Sequence, residues 1–235
     1  MMNNSVSSIS KVTIPVGFLS LILIPSYIIL YLFIWYFKTF FTSDYFIALF
    51  PLVLLGLYLL LILIVIIEAK VILAVINRTG KEGLFPAKGS EYAVLYWSLN
   101  SLFVGVIESL LDKLIIPKGV SGEVIYSLFG GKHGKLGFIS TPLADPYLIE
   151  IGDNSIIGRD ALVTGHYIVH DKIYIKKVII GKNVTIGAHS TISPGAVIED
   201  NVVVGANSFV KKDMVLEKNS IYAGSPVRLI KKNEH

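Results

Sequence analysis

The sequence has no cysteine, which excludes disulfides, thiolate metal sites and cysteine nucleophiles. Charge is scarce too. Only 16% of the 235 residues are Asp, Glu, Lys or Arg, against ~25% in an ordinary soluble domain. The net charge is +4, and no arginine-rich or aromatic-interleaved basic patch is present, so nucleic acid is excluded as a partner. In place of charge the chain carries apolar residues, 53% of the total, with a mean hydropathy of +0.68. Nearly all of that excess lies before Ile116, and the remainder has the composition of a soluble domain.

Residues 1–10 are polar and are expected to fray. Val12 to Phe37 and Tyr45 to Ile67 are uncharged apolar runs, each longer than the ~20 residues a spanning helix requires. The first is too long for a signal peptide and lacks its small-residue cleavage site. The reading is two transmembrane helices, about 12–37 and 45–67, joined into an antiparallel hairpin by Lys38 to Asp44. Pro15, Pro25, Pro51 and Gly56 are tolerated in such helices, and Trp35, Tyr36 and Tyr45 sit where an aromatic belt forms. Lys70, Arg78, Lys81 and Lys88 follow the second run, whereas Lys38 is opposed by Asp44. The positive-inside rule then places both termini in the cytoplasm.

Glu68 and Lys70 close the second span, an interfacial extension to Ile76 is allowed, and a polar connector over 77–89 completes a membrane domain of residues 1–89. Tyr92 to Ile116 carries Ser98, Ser101, Gly105, Glu108 and Asp112 as a narrow polar stripe on a wide apolar helix. It can be a third span or a helix lying on the membrane surface. Asn100 and Glu108 would be costly at mid-bilayer, which favours the surface. Residues 90–122 are therefore taken as an amphipathic membrane-surface helix and linker, with Pro117 to Gly122 as its exit turn.

The second half is organised by a period of six. Ile180, Ile186, Ile192, Ile198, Val204 and Val210 open successive hexapeptides. Gly181, Gly187, Ser193 and Gly205 follow as small second residues, and Val184, Ser190, Ala196, Val202 and Ser208 fill the fifth position. Neither a helix nor an alternating strand has this period. It marks a parallel β-helix, in which each inward aliphatic stacks on its counterpart one coil away. Gly181-Lys182-Asn183, Pro194-Gly195, Asp200-Asn201 and Gly205-Ala206-Asn207 supply the corners. The frame recurs upstream through Val163, Ile157, Ile151, Asp145, Ile139 and His133, out of phase with the first run, so a loop is extruded within TGHYIVHDKIYIKKVI. His133, at an inward position, is expected to be a buried cap, and the ending after Val210 to close the sheet edge. The β-helix is placed at residues 123–235.

The strings IGDNSIIGRDALVTGH and IGKNVTIGAHSTISPGAVIEDNVVVGANSFVKKDMVLEKNSIYAGSPVRLI resemble the hexapeptide-repeat acyltransferases, in the manner of the galactoside and maltose O-acetyltransferases, over roughly Ile139 to Lys232. The resemblance implies an all-β left-handed parallel β-helix behind the helical hairpin and interfacial helix, and an acyltransferase, most simply an acetyltransferase, using acetyl-CoA or another acyl-CoA as donor. The T-G-H motif, here Thr164-Gly165-His166, makes His166 the general base. Imidazole suits the role because it exchanges a proton near neutral pH. His170 matches an acceptor-site position offset by one residue, or simply lies in the loop. The family's N-F-N motif is replaced by Ser140-Thr141-Pro142, which leaves Ser140 and Thr141 as acceptor-site candidates and argues against a galactoside held in the family's way. Ala188, Ala206 and Val210 match backbone contacts to the pantetheine arm; Lys211, Lys212 and Arg228 match residues near the CoA phosphates, and Lys and Arg suit phosphate. The family also implies a homotrimer.

Other assignments compete with these. Asp171 could orient an imidazole or be a solvated carboxylate, and His189 points outward to solvent or a neighbouring subunit. His166, His170 and His189 could supply the three ligands of a zinc enzyme of the carbonic-anhydrase-like β-helix class, although two of them share one loop. A non-catalytic membrane scaffold would need none of these residues. The leading expectation is an integral-membrane acyltransferase with a cytoplasmic catalytic domain, no metal, and an acceptor hydroxyl or amine that can be membrane-associated.

Overall fold

A computed structural model describes residues 3–43, 45–76, 81–87, 91–135, 137–140 and 143–232, with backbone only for 3–18, 21 and 22. Two compact units are present, Met1–Arg78 and Thr79–His235.

The first unit is two long helices, α1 (Asn3–Phe40) and α2 (Phe46–Ile76). Helix α1 begins within the polar segment expected to fray, and α2 runs unbroken through Glu68 and Lys70 to Ile76. Aromatic side chains clamp the turn between them. Tyr36 stacks on Phe40 and Phe46 with ring centroids 5.4 Å away in each case, and its hydroxyl donates to the Phe46 carbonyl at 3.0 Å. Trp35 and Tyr45 remain exposed.

The second unit is a parallel β-helix with helices against its first coils. The second coil comprises Ile149–Ile151, Ile156–Ile157 and Leu162–Val163; the third comprises Val178–Ile180, Thr185–Ile186 and Thr191–Ile192. Val197–Ile198, Val203–Val204 and Phe209–Val210 make the fourth. An incomplete fifth has Val215–Leu216 and Ser220–Ala223, and an incomplete first has Lys132–His133 and Phe138–Ile139. The register is the one the hexapeptides require, pairing Ile151, Ile180, Ile198 and Leu216 in one stack and Val163, Ile192 and Val210 in another. Ile157, Ile186, Ile192, Ile198, Val204 and Val210 are all buried in one continuous core, each contributing about 1.5–3 kcal/mol of transfer free energy.

The corners follow from backbone chemistry. Asn154, Asn183, Asn201 and Asn219 have φ of 54–59°, a conformation that asparagine tolerates better than most residues. Their side-chain amides bond in a ladder at 3.3, 3.1 and 2.8 Å. Coils approach so closely at Gly187 that a Cβ there would meet the backbone of Ala206. At the C-terminus, Arg228–Lys232 pairs antiparallel with Ser220–Ala223 and covers the last edge of that one face.

The first end is closed by an element where the sequence reading places an exit turn. Helix α4 (Lys118–Leu128) follows Pro117, whose carbonyl accepts the Val120 and Ser121 N–H groups at 2.9 and 3.2 Å. Its buried face, Ser121, Gly122, Ile125 and Tyr126, was obscured by Gly119 and Gly122, which lower helix propensity. The Tyr126 ring enters the β-helix core and its one hydroxyl proton is shared between the carbonyls of Lys132 at 2.9 Å and Ile149 at 2.8 Å. With this end covered by α4, His133 is exposed rather than buried, bonding Ser127 Oγ at 3.1 Å. Helix α3 (Tyr92–Leu111) belongs to the same unit and packs on α4. The connector adds a further strand, Gly83–Pro86, antiparallel to Lys172–Ile175.

Candidate active site

After Val163 the chain leaves the coil as a β-hairpin, His166–Val169 and Lys172–Ile175, before rejoining it at Val178. This is the extruded loop, and with Gly83–Pro86 it forms a three-stranded sheet. On one side Ile173 and Ile175 pack with Val94 of α3 and Leu148, against Phe85, Trp97 and Tyr147. Gly165 fits at the root of the hairpin because a Cβ there would collide with Leu148.

His166 stands at that root, with its side chain 25% exposed. Its Nδ1 lies 2.7 Å from Oδ2 of Asp145, a carboxylate with no solvent exposure. Burying such a group is costly unless donors surround it, and here they do. The Gly165 N–H reaches Oδ2 at 2.8 Å and the Thr164 hydroxyl at 3.0 Å, while the Trp97 indole Nε1–H reaches Oδ1 at 3.0 Å. The Trp97 ring also lies against the imidazole, with centroids 4.6 Å apart. An Nδ1–H held on a carboxylate leaves Nε2 as the atom carrying the lone pair.

Asp145 falls on the upstream frame by the six-residue count, but in the structure Leu143 takes the core place beside Val163 and Asp145 stands just before the 3-10 turn Pro146–Leu148. It does for His166 what Asp171 was considered for; Asp171 lies at the hairpin tip. A charged residue where the six-residue count calls for an aliphatic is the signal that could have found it. Trp97 carries no comparable signal, since it reads as part of the apolar face of α3.

The remaining candidates are dispersed. Ser140 is half-buried, and its hydroxyl donates to the Ile157 carbonyl at 2.6 Å, within the coil rather than at His166. Thr141 lies outside the described residues. His170 sits exposed at the hairpin tip with φ 54°, and His189 at a coil corner with φ 56°. Among the described residues no three His, Asp or Glu side chains are grouped to hold a metal ion. Ala188 and Ala206 lie at the His189 and Asn207 corners, and the Ala188 carbonyl accepts the Asn207 N–H at 2.9 Å. Val210 is buried in the core. Lys211, Lys212 and Arg228 are exposed.

Lys212 connects this end of the fourth coil to the hairpin. Its Nζ lies 5.6 Å from the Tyr167 ring centroid and 5.2 Å from that of Tyr174, whose rings are themselves 5.2 Å apart. Its hydrogen bond with Tyr167 holds the ammonium above its ordinary range. Next to it, Asp213 accepts from Lys176 Nζ at 2.6 Å and from the Tyr174 hydroxyl at 2.7 Å, and Lys176 foremost holds its carboxyl below the usual value.

A family profile described as the hexapeptide repeat of succinyl-transferase matches residues 177–212. The chain is 35% identical over 169 residues to the galactoside O-acetyltransferase of Escherichia coli, covering 64% of this chain and 81% of that protein. It is 40% identical over 72 residues to a putative acetyltransferase of Bacillus subtilis, covering 30% of this chain and 41% of the other. Among solved structures, a galactoside acetyltransferase in complex with coenzyme A superposes with a TM-score of 0.47 at 25% identity, over 65% of this chain and 88% of its own.

Proposed function

The chain belongs to the hexapeptide-repeat acyltransferases, whose β-helix is left-handed, and on that premise we propose that it is a membrane-anchored enzyme moving an acyl group, most simply acetyl, from acyl-CoA to an acceptor hydroxyl or amine. One observation carries the mechanism: the part-exposed imidazole of His166 is held through Nδ1 by the buried carboxylate of Asp145. Nε2 takes the proton of the acceptor O–H or N–H as the acceptor atom attacks the thioester carbonyl. The tetrahedral oxyanion then collapses, the C–S bond breaks, and the departing CoA sulfur receives the proton from Nε2–H. Asp145 keeps the imidazole in the productive tautomer and balances the imidazolium formed between these steps.

The donor lies along the coils, its pantetheine arm against the backbone at Ala188, Ala206 and Val210 and its phosphates near Lys211, Lys212 and Arg228. The exposure of all three cations supports this reading. His170, at the tip of the hairpin rooted at His166, remains the acceptor-site candidate; Ser140, committed to its coil, is the weaker one. Apolar side chains left outward on the coil faces, Leu162 and Phe209 among them, support a homotrimer.

Among the described residues three helices are long and apolar enough to cross a membrane. We assign α1 and α2 as the spans, with both termini and the β-helix cytoplasmic. Helix α3 is more buried within the protein than either, 39% of its apolar window against 11%, which favours a helix seated on the β-helix at the membrane surface. The acceptor of such an enzyme fits a membrane-associated hydroxyl or amine.

Calorimetric titration of the detergent-solubilised protein with acetyl-CoA tests the donor site. Micromolar binding that weakens in both Lys212→Ala and Arg228→Ala is expected. No heat at millimolar acetyl-CoA would overturn the acyltransferase reading. Thiol release with a panel of hydroxyl and amine acceptors then tests the base, His166→Ala losing about a hundredfold or more in turnover.

A further inference from the structure

Helix α3 is not part of the coils, yet it contributes one hydrogen bond to the site. Oδ2 of Asp145 is shared among Gly165 N–H, the Thr164 hydroxyl and His166 Nδ1, whereas among the described residues the bond to Oδ1 comes from the Trp97 indole at 3.0 Å. The same ring packs on the imidazole at 4.6 Å. We propose that Trp97 is a positioning residue, which holds the Asp145 carboxylate so that Oδ2 faces Nδ1 and keeps His166 in the Nδ1–H tautomer. The proposal rests on reading His166 as the base.

The physical case concerns a buried acceptor. With no exposure to water, Oδ1 has no solvent to replace the indole if it is lost. The carboxylate would relieve that deficit by rotating Oδ1 toward the donors now on Oδ2, and the Nδ1–H bond would weaken with the rotation. The tautomer of the base is thereby tied to the seat of α3. Val94, one turn before Trp97, is anchored on Leu148, Ile173 and Ile175, so a displacement of this helix reaches His166 through two hydrogen bonds.

The test reads the tautomer directly, without an acceptor substrate. Side-chain nitrogen spectra of the full chain with 15N-labelled histidine, recorded at alkaline pH with His166 assigned by its loss in His166→Ala, should show Nδ1 as the protonated nitrogen. Trp97→Phe keeps an aromatic ring and removes only the donor. The Nε2–H to Nδ1–H ratio of His166 should rise about tenfold in this variant, while His133, His170 and His189 stay in place as reporters of an intact fold. An unchanged His166 spectrum would overturn the proposal. Asp145→Asn examines the same bond from the other side and does not need the Phe variant to fold. The Trp97 indole N–H resonance should move, with that of Trp35 as the internal control, and a stationary Trp97 resonance would equally sink the idea. Failure of acetyl-CoA to bind would remove the functional reading and leave these spectra as they are, so the two failures are distinguishable.

Discussion

Along one face of the β-helix the second, third and fourth coils place Val163, Ile192 and Val210 in a single stack, whereas in the first coil, where the six-residue count falls on Asp145, Leu143 joins the core beside Val163 and Asp145 faces the root of the hairpin. The three aliphatics are fully buried and need nothing but one another. Asp145 is just as buried and needs four donors, from Trp97, Thr164, Gly165 and His166. An apolar place in the coil is thus satisfied by its neighbours alone, whereas the buried charge beside it is satisfied by donors that include the hairpin root and α3.

The sharpest way to break this comparison is to remove the charge. Asp145→Asn should lower turnover about a hundredfold or more, measured as thiol release, while the urea midpoint moves only modestly. Ile192→Ala should do the converse, costing roughly 2–5 kcal/mol of stability with turnover preserved in the folded fraction. If Ile192→Ala reduced turnover per folded molecule as severely as Asp145→Asn, the division between a stabilising stack and a chemical carboxylate would fail.

A smaller effect is expected where coils touch. In Gly187→Ala the new Cβ meets the Ala206 backbone, and overpacking of this kind costs about 1–3 kcal/mol, readable as a lower melting temperature. The smallest effect is at the hairpin. Asp213 has a folded pKa lowered from 3.8, with Lys176 as the leading cause. Its contribution is therefore complete above that unfolded value and is lost as pH falls below it through the folded pKa. Comparing denaturation at pH 5 and pH 3, Asp213→Asn should lose less stability on acidification than the unaltered chain. An identical loss in both would remove Asp213 from the acid response.

The coils were legible because their period matches no other structure and each coil repeats the test. His166 was legible through its motif and its place at the loop root. Its partners were not. Asp145 is 21 residues away from His166, and Trp97 a further 48 from Asp145; no local pattern links them. Helix α4 was missed because two glycines lower its local propensity, and burial of Tyr126 outweighs them. The strand Gly83–Pro86 was hidden in a connector, since only the hairpin edge it pairs with gives it a role.

By itself the sequence determined the apolar helices, the six-residue frame, the asparagine corners and the histidine at the mouth of the loop, because each depends on neighbours within a turn or a coil. The tertiary structure alone decided which carboxylate faces His166, which helix closes the first coil and how α3 reaches the site. Those outcomes turn on satisfying buried donors, acceptors and apolar surface across long separations, and such pairings exist only once the coils have stacked.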